Sequence, residues 1–315
     1  MKLSPDKLLQ NVVTDSRQQY ALYFKTGQGI IEQYGGKDTG AYTNFRMASV
    51  TKQFISFCVL SLIQSGYIGI NTRLSKIFDD IPDYMKCVTI RHLLTHTSGL
   101  VDYEDRPKIG SKQITDSKVF EYLKTLKRGY FKPGTKYRYS NGGYIILGQV
   151  IEKVSKTKLP VFVRNTILLP ARMRNSLIYT QGVSVIKNRA YGHKTIRNNR
   201  IIICDQGPNT ATHADGGLYS SVHDLKKYLY FIQNTPLASK MFAPNILPNG
   251  KNTGYGFGLQ ILKRKNYKII YHCGETIGTS TIIGFIPRLG VEFAFMTSLD
   301  GINPEIFLRN LLRCL

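Results

Sequence analysis

The ten residues from Phe54 to Ile63 (Phe-Ile-Ser-Phe-Cys-Val-Leu-Ser-Leu-Ile) carry no charge and are apolar almost all the way round a helix. Such a helix has no face to give to water and must be buried, with Gly66 and the turn residues after it as its natural stop. At its head stands Ser49-Val50-Thr51-Lys52. A hydroxyl in the first turn faces unpaired backbone N–H groups and the positive end of the helix, which suits a nucleophile whose attack creates an oxyanion. Lys52, at i+3, lies on the same face, and burial would lower its pKa until it can take the serine's proton. The spacing alone proves little. Ser-x-x-Lys recurs at Ser4-Lys7, Ser155-Lys158 and Ser184-Lys187, and an N-capping serine with a solvated lysine fits it equally well.

The order of elements gives the architecture. Residues 3–14 read as an amphipathic helix with Leu3, Leu8, Leu9, Val12 and Val13 inward, and Tyr20–Phe24 and Ile30–Tyr34 read as a hairpin around a glycine turn. From Leu74 to about residue 215 the pattern is mainly helical, with helices expected near 88–94, 116–126 and 144–154. A further helix is expected at 222–232. Strand-like segments follow at 255–261, 267–271, 280–285 and 291–297, and a last helix covers 304–312. Strands at both ends around a helical middle predict an α+β fold. Its antiparallel sheet is built from residues 1–48 and 216–315 and flanked by helices; residues 49–215 form an inserted, mainly helical domain, and the active site lies at the junction.

A chain of 315 residues buries a substantial core. No window approaches the roughly 20 apolar residues of a membrane span, and Met1–Lys7 lacks a signal-peptide apolar region. The five cysteines are scattered and odd in number, as expected of reduced thiols. Together these predict a cytoplasmic setting, or a periplasmic one if a leader has been removed. The net charge of +23 is compatible with polyanions, but the cations are spread along the chain and no nucleic-acid motif appears, so nucleic acid is not assigned as a partner. The expected partner is a small acyl or peptide substrate, with no metal and no cofactor; the oligomeric state is open.

A serine–lysine hydrolase needs a second proton-handling group, an amide-reading side chain and a strand edge that supplies another oxyanion donor. Tyr139-Ser140-Asn141 on a glycine-flanked loop and His272-Cys273-Gly274 after a strand-like run offer these in order. The ordered set Ser-x-x-Lys, Tyr-x-Asn, His-x-Gly resembles the serine β-lactamase-related family, with its class C β-lactamases, D-alanyl-D-alanine carboxypeptidases of penicillin-binding-protein type, D-amino-acid peptidases and family VIII esterases. Further stretches are similar to family landmarks in family order: Phe45–Phe54, Ile90–Leu100, Pro133-Gly134, Gly216–Ser220 and Tyr255–Gly258. A literal Lys25-Thr26-Gly27 precedes the serine in a hairpin turn and is set aside.

The resemblance implies that Ser49 attacks a carbonyl carbon while Lys52 and Tyr139 share its proton, with either a neutral lysine or a tyrosinate as base. It implies an oxyanion hole from the N–H groups of Ser49 and Glu275, an Asn141 in the substrate-binding set that reads an amide or holds Lys52, and a substrate-binding role for His272, Gly274 and Glu275. Where the lactamases carry a lysine and a hydroxyl, this chain has His272 and Cys273. Cys273 is expected to face the cleft and to deprive it of a hydroxyl donor, which argues against efficient lactam turnover. The leading expectation is therefore an esterase or amidase acting through an acyl-enzyme. A D-amino-acid peptidase or carboxypeptidase or a weak β-lactamase is the alternative, and a catalytically idle binding protein is the alternative of another class. The loops at 101–115 and 180–212, expected to line the pocket, carry no motif.

Overall fold

The computed structural model describes residues 4–105, 113–264 and 266–315. Its strands are β1 (Tyr20–Thr26), β2 (Gly29–Gly35), β3 (Phe45–Arg46), β4 (Leu177–Ile178), β5 (His193–Ile196), β6 (Arg200–Ile203), β7 (Leu218–Ser220), β8 (Gln260–Arg264), β9 (Tyr267–Thr276), β10 (Thr279–Ile286) and β11 (Val291–Thr297). Six of them form one antiparallel sheet in the order β2-β1-β11-β10-β9-β8. The two ends of the chain meet at β1 and β11, in a register that sets Tyr20 opposite Thr297 and Lys25 opposite Glu292. The fold is thus the expected α+β arrangement, with strands from both ends in one sheet and helices around it.

Alternation along β1 explains why the sheet is covered on both faces. Ala21 and Tyr23 join the core shared with the helical part of the chain. Leu22 and Phe24 join a second core beneath the helices Pro5–Leu9 and Glu305–Cys314. In that second core Phe295 stacks on Phe307 at 5.5 Å.

The apolar run forms the helix Thr51–Gln64, with every residue from Thr51 to Leu60 buried. Gly66 at φ +77° ends it, as the sequence predicts. Helices also form at Ile90–Leu94, Asp116–Thr125, Asn141–Ser155 and Val222–Asn234.

Several boundaries differ from expectation. The first helix is only Pro5–Leu9 because the chain turns left-handed at Asn11, φ +62°; Leu3 lies outside the described residues. Residues 255–258 are not a strand. Gly254 and Gly258 adopt φ +68° and +74°, and a Cβ on Gly258 would sit 2.6 Å from the Lys52 carbonyl oxygen, so this loop lies pressed against the serine helix. Within the helical middle the β5–β6 hairpin goes unanticipated; its turn is made by Asn198 and Asn199 in left-handed conformation.

Candidate active site

Ser49 occupies a short 3-10 turn, Ala48–Val50, leading into the buried helix. Its hydroxyl does not cap that helix. Lys52 Nζ lies 2.9 Å from Ser49 Oγ, 2.7 Å from Asn141 Oδ1 and 2.8 Å from the Asp215 carbonyl oxygen. These three neighbours account for all three ammonium donors. Lys52 is fully buried, and desolvation pulls its pKa down to about 8, against the pull of Asp215, Asp102 and Glu104 in the other direction.

Asn141 opens its helix behind the N-cap Ser140, whose Oγ accepts from Gly143 N–H at 3.1 Å. While Asn141 Oδ1 accepts from Lys52, its Nδ2 donates to Glu104 Oε2 at 2.8 Å, and its backbone N–H donates to Asp102. Asp215 Oδ2 accepts from Tyr103 at 2.8 Å. Its turn is held by Asp116, which accepts from His213 and Ala214 N–H at 2.7 and 3.1 Å.

Tyr139 is half-buried beside this cluster, with Lys52 Nζ 5.1 Å from its ring centroid. Burial pushes its phenol pKa up, with a Ser49 hydrogen bond acting in the opposite sense. His96 clamps the segment on both sides of Tyr139: its carbonyl accepts from Arg138 N–H at 2.9 Å, and its Nδ1 accepts from Ser140 N–H at 3.1 Å. Its ring also packs on Tyr139 with centroids 4.2 Å apart. His96 is buried and left-handed at φ +55°. His96→Ala should lose the acceptor and strain the backbone, costing about 2–3 kcal/mol, read as a melting temperature lower by roughly 3–5 °C. His96→Asn, which offers a side-chain oxygen and tolerates the left-handed conformation, should recover part of that loss.

On the sheet side, β8 pairs with β9 only as far as Tyr271. Beyond that point β9 runs beside the Ser49 turn. A Cβ on Gly274 would sit 2.2 Å from the Met47 carbonyl oxygen, 2.5 Å from Thr281 Oγ1 and 3.1 Å from Ser49 N. Only a glycine lets strand and turn come this close. Glu275, the next residue, is exposed.

His272 is buried, and both its ring nitrogens have partners inside the protein: Nε2 with Tyr255 Oη at 2.9 Å, Nδ1 with the Cys273 carbonyl oxygen. Nδ1 therefore carries the proton and Nε2 accepts from the tyrosine. Desolvation and the nearby Lys52 push its pKa down to about 3, leaving a neutral ring 6.2 Å from that of Tyr139, centroid to centroid.

Cys273 requires a correction. Its side chain does not face the cleft but packs with the second core, on the side of the last helix. The alternation of β9 turns His272 to the site and Cys273 away, so the cysteine takes no hydroxyl from the cleft. The literal Lys25-Thr26-Gly27 is indeed in the β1–β2 hairpin, where Lys25 pairs with Glu292 at 3.1 Å.

The structure thus brings Ser49, Lys52, Tyr139, Asn141 and Gly274 to one place. It adds groups that the sequence reading did not assign: the Asp215 carbonyl, Glu104, Asp102, His96 and Tyr255. Asp215, His96 and Tyr255 sit in or beside stretches already recognised as landmarks, which was the available signal. Asp102 and Glu104 fall in a loop without a motif.

A family model described as Beta-lactamase matches residues 10–313. Penicillin-binding protein 4* of Bacillus subtilis (strain 168) is 32% identical over 264 residues, covering 76% of this chain and 57% of that protein. The chain spans about half the length of the curated relatives it matches. Among solved structures, a penicillin binding protein from Bacillus halodurans superposes with a TM-score of 0.83 at 21% identity over 100% of both chains. A D-stereospecific amidohydrolase from Streptomyces sp. does so with a TM-score of 0.82 at 21% identity over 98% of both.

Proposed function

The chain belongs to the β-lactamase family, and from that premise we propose that it is a serine hydrolase that forms an acyl-enzyme at Ser49 with a small ester, amide or peptide substrate. The observation that carries this reading is the set of three neighbours around Lys52 Nζ. Two of them, Asn141 Oδ1 and the Asp215 carbonyl oxygen, can only accept hydrogen bonds. A neutral Lys52 gives its two N–H donors to them, and its lone pair is left facing the one neighbour that can donate, the Ser49 hydroxyl.

With a pKa near 8, about a tenth of Lys52 is neutral at pH 7. Tyr139, whose pKa burial raises, stays a phenol. Of the two bases considered from sequence, this favours the lysine. Lys52 accepts the Ser49 proton as Oγ attacks the carbonyl carbon, and the N–H groups of Ser49 and Glu275 receive the developing oxyanion. Tyr139 gives its phenolic proton to the leaving group as the tetrahedral intermediate collapses and is reprotonated by Lys52, which is neutral again. Lys52 then takes a proton from water as the water attacks the acyl carbon, and returns it to Ser49 Oγ as the acyl group leaves. Asn141 acts by fixing Lys52, and His272 closes the site as a neutral wall.

A neutral His272 brings no positive charge to a substrate carboxylate, which supports uncharged acyl groups over β-lactams. A second reading, a D-amino-acid amidase or peptidase, is favoured by Glu104: its carboxylate lies beside Asn141 and would meet a free ammonium group of the substrate. The test is hydrolysis of short p-nitrophenyl esters, D-phenylalanine amide and nitrocefin by wild type and Ser49→Ala. Ester turnover at least about 10-fold above nitrocefin, lost in Ser49→Ala, is expected. Preference for the amide would shift the assignment to the second reading. Preference for nitrocefin, or no turnover of any of the three, would overturn the proposal.

A further inference from the structure

At the far end of β9 from Ser49, the end of β8 at Lys263 and Arg264, the start of β9 at Tyr267, the turn Pro287–Leu289 and the helix Glu305–Cys314 border a groove of about 740 Å³. Lys263, Arg264, Arg309 and Arg313 line it, and all four are exposed. Arg288 stands beside them, its Nη1 on the Asn266 carbonyl oxygen at 2.8 Å. Among the described residues, none of these five cations forms an ion pair with a carboxylate, whereas Lys25, Lys124, Lys226 and Lys227 elsewhere on the surface do. The floor and rim are apolar: Leu289 and Leu315 are 40% and 41% exposed, and Leu312 lies between the two arginines of the helix.

We propose that this groove docks the protein on an anionic phospholipid surface. Four unpaired cations around one cavity concentrate part of the chain's +23 charge where a phosphate-bearing headgroup fits, and the cavity is far larger than a single inorganic phosphate requires. Exposed leucines next to those cations suit the boundary between headgroups and acyl chains, where basic and aliphatic side chains act together. Nucleic-acid phosphates call for cations alone, whereas the exposed Leu289 and Leu315 beside these cations favour a surface with an acyl-chain boundary. Tyr267, at the groove, and Gly274, beside Ser49, are separated by roughly 23 Å of strand at about 3.3 Å per residue. The groove is thus a separate surface from the Ser49 cleft, and the docking does not depend on what Ser49 does.

The experiment is cosedimentation of the full chain with vesicles of phosphatidylcholine alone and of phosphatidylcholine with phosphatidylglycerol, mixed about 7:3. Binding only to the mixed vesicles, weakening as salt is raised, is expected. The variant K263Q/R264Q/R309Q/R313Q should bind at least about 100-fold more weakly, given roughly fivefold per cation lost at such a surface. A control with the same change in net charge, K118Q/K127Q/K153Q/K251Q, should lose much less, and Leu289→Ser should weaken binding with no charge change. Equal losses in the two quadruple variants would make the attraction generic and overturn the proposal. So would duplex DNA or inorganic phosphate displacing the protein from vesicles through the same four residues. Melting curves of each variant show that it is folded.

Discussion

Lys52→Met lowers the rate of Ser49 acylation by roughly 10²–10⁴-fold, the range lost with a general base, and it removes the pH dependence of that step. In the wild type the neutral fraction of Lys52 grows as pH rises. Acylation should therefore increase about tenfold from pH 7 and level off above the lysine's pKa of about 8. The sign is fixed by the cause: burial disfavours the ammonium, so the folded protein releases this proton well below the ordinary lysine range. Methionine fills similar space without a charge. It leaves Asn141 Oδ1 and the Asp215 carbonyl without their donor, a cost of about 1–3 kcal/mol for each group left unsatisfied, and removes the burden of a buried ammonium. The variant should remain folded. Stopped-flow acylation by a p-nitrophenyl ester across pH 6–10 reads both effects, and a variant within threefold of wild type with the same pH profile would remove Lys52 from the mechanism.

Gly274→Ala tests the other side of the cleft. The added Cβ would stand 2.2 Å from the Met47 carbonyl oxygen and 3.1 Å from Ser49 N. Both are backbone atoms, which cannot swing aside. Either β9 or the Ser49 turn must move, and the two N–H groups proposed for the oxyanion then no longer converge. A loss of roughly 10²–10³-fold in kcat is expected, the magnitude of one misplaced oxyanion donor, with about 1–3 kcal/mol of stability lost to overpacking. Gly27→Ala is the control: a Cβ there meets nothing within 4 Å, and its activity should match wild type. If Gly274→Ala keeps its kcat, the strand edge plays no part in acylation.

Much of the fold was legible because it rests on periodicity. The buried helix at Thr51–Gln64 follows from ten uncharged residues, and the hairpin β1–β2 from alternation around a glycine turn. The shared sheet follows from strands at both ends. What escaped depends on single backbone conformations. Asn11, Gly254 and Gly258 turn left-handed and cut short segments whose composition reads as helix or strand. At the site, residue types on ordered landmarks identified Ser49, Lys52, Tyr139 and Asn141 as candidates, and the structure brings them together. Two features had no trace in the sequence. Lys52 is held partly by a backbone carbonyl, that of Asp215, which no side-chain motif encodes. The direction of Cys273 depends on the phase of β9, and the sequence reading placed that side chain on the wrong face.

Activation of Ser49 as a nucleophile by Lys52 is read by intact-mass and peptide-mapping analysis after reaction with a fluorophosphonate, in which the attacking oxygen displaces fluoride from phosphorus. One adduct is expected, on the peptide containing Ser49, absent from Ser49→Ala and formed far more slowly by Lys52→Met. No adduct on the folded wild type, or the same adduct on Ser49→Ala, would contradict that activation.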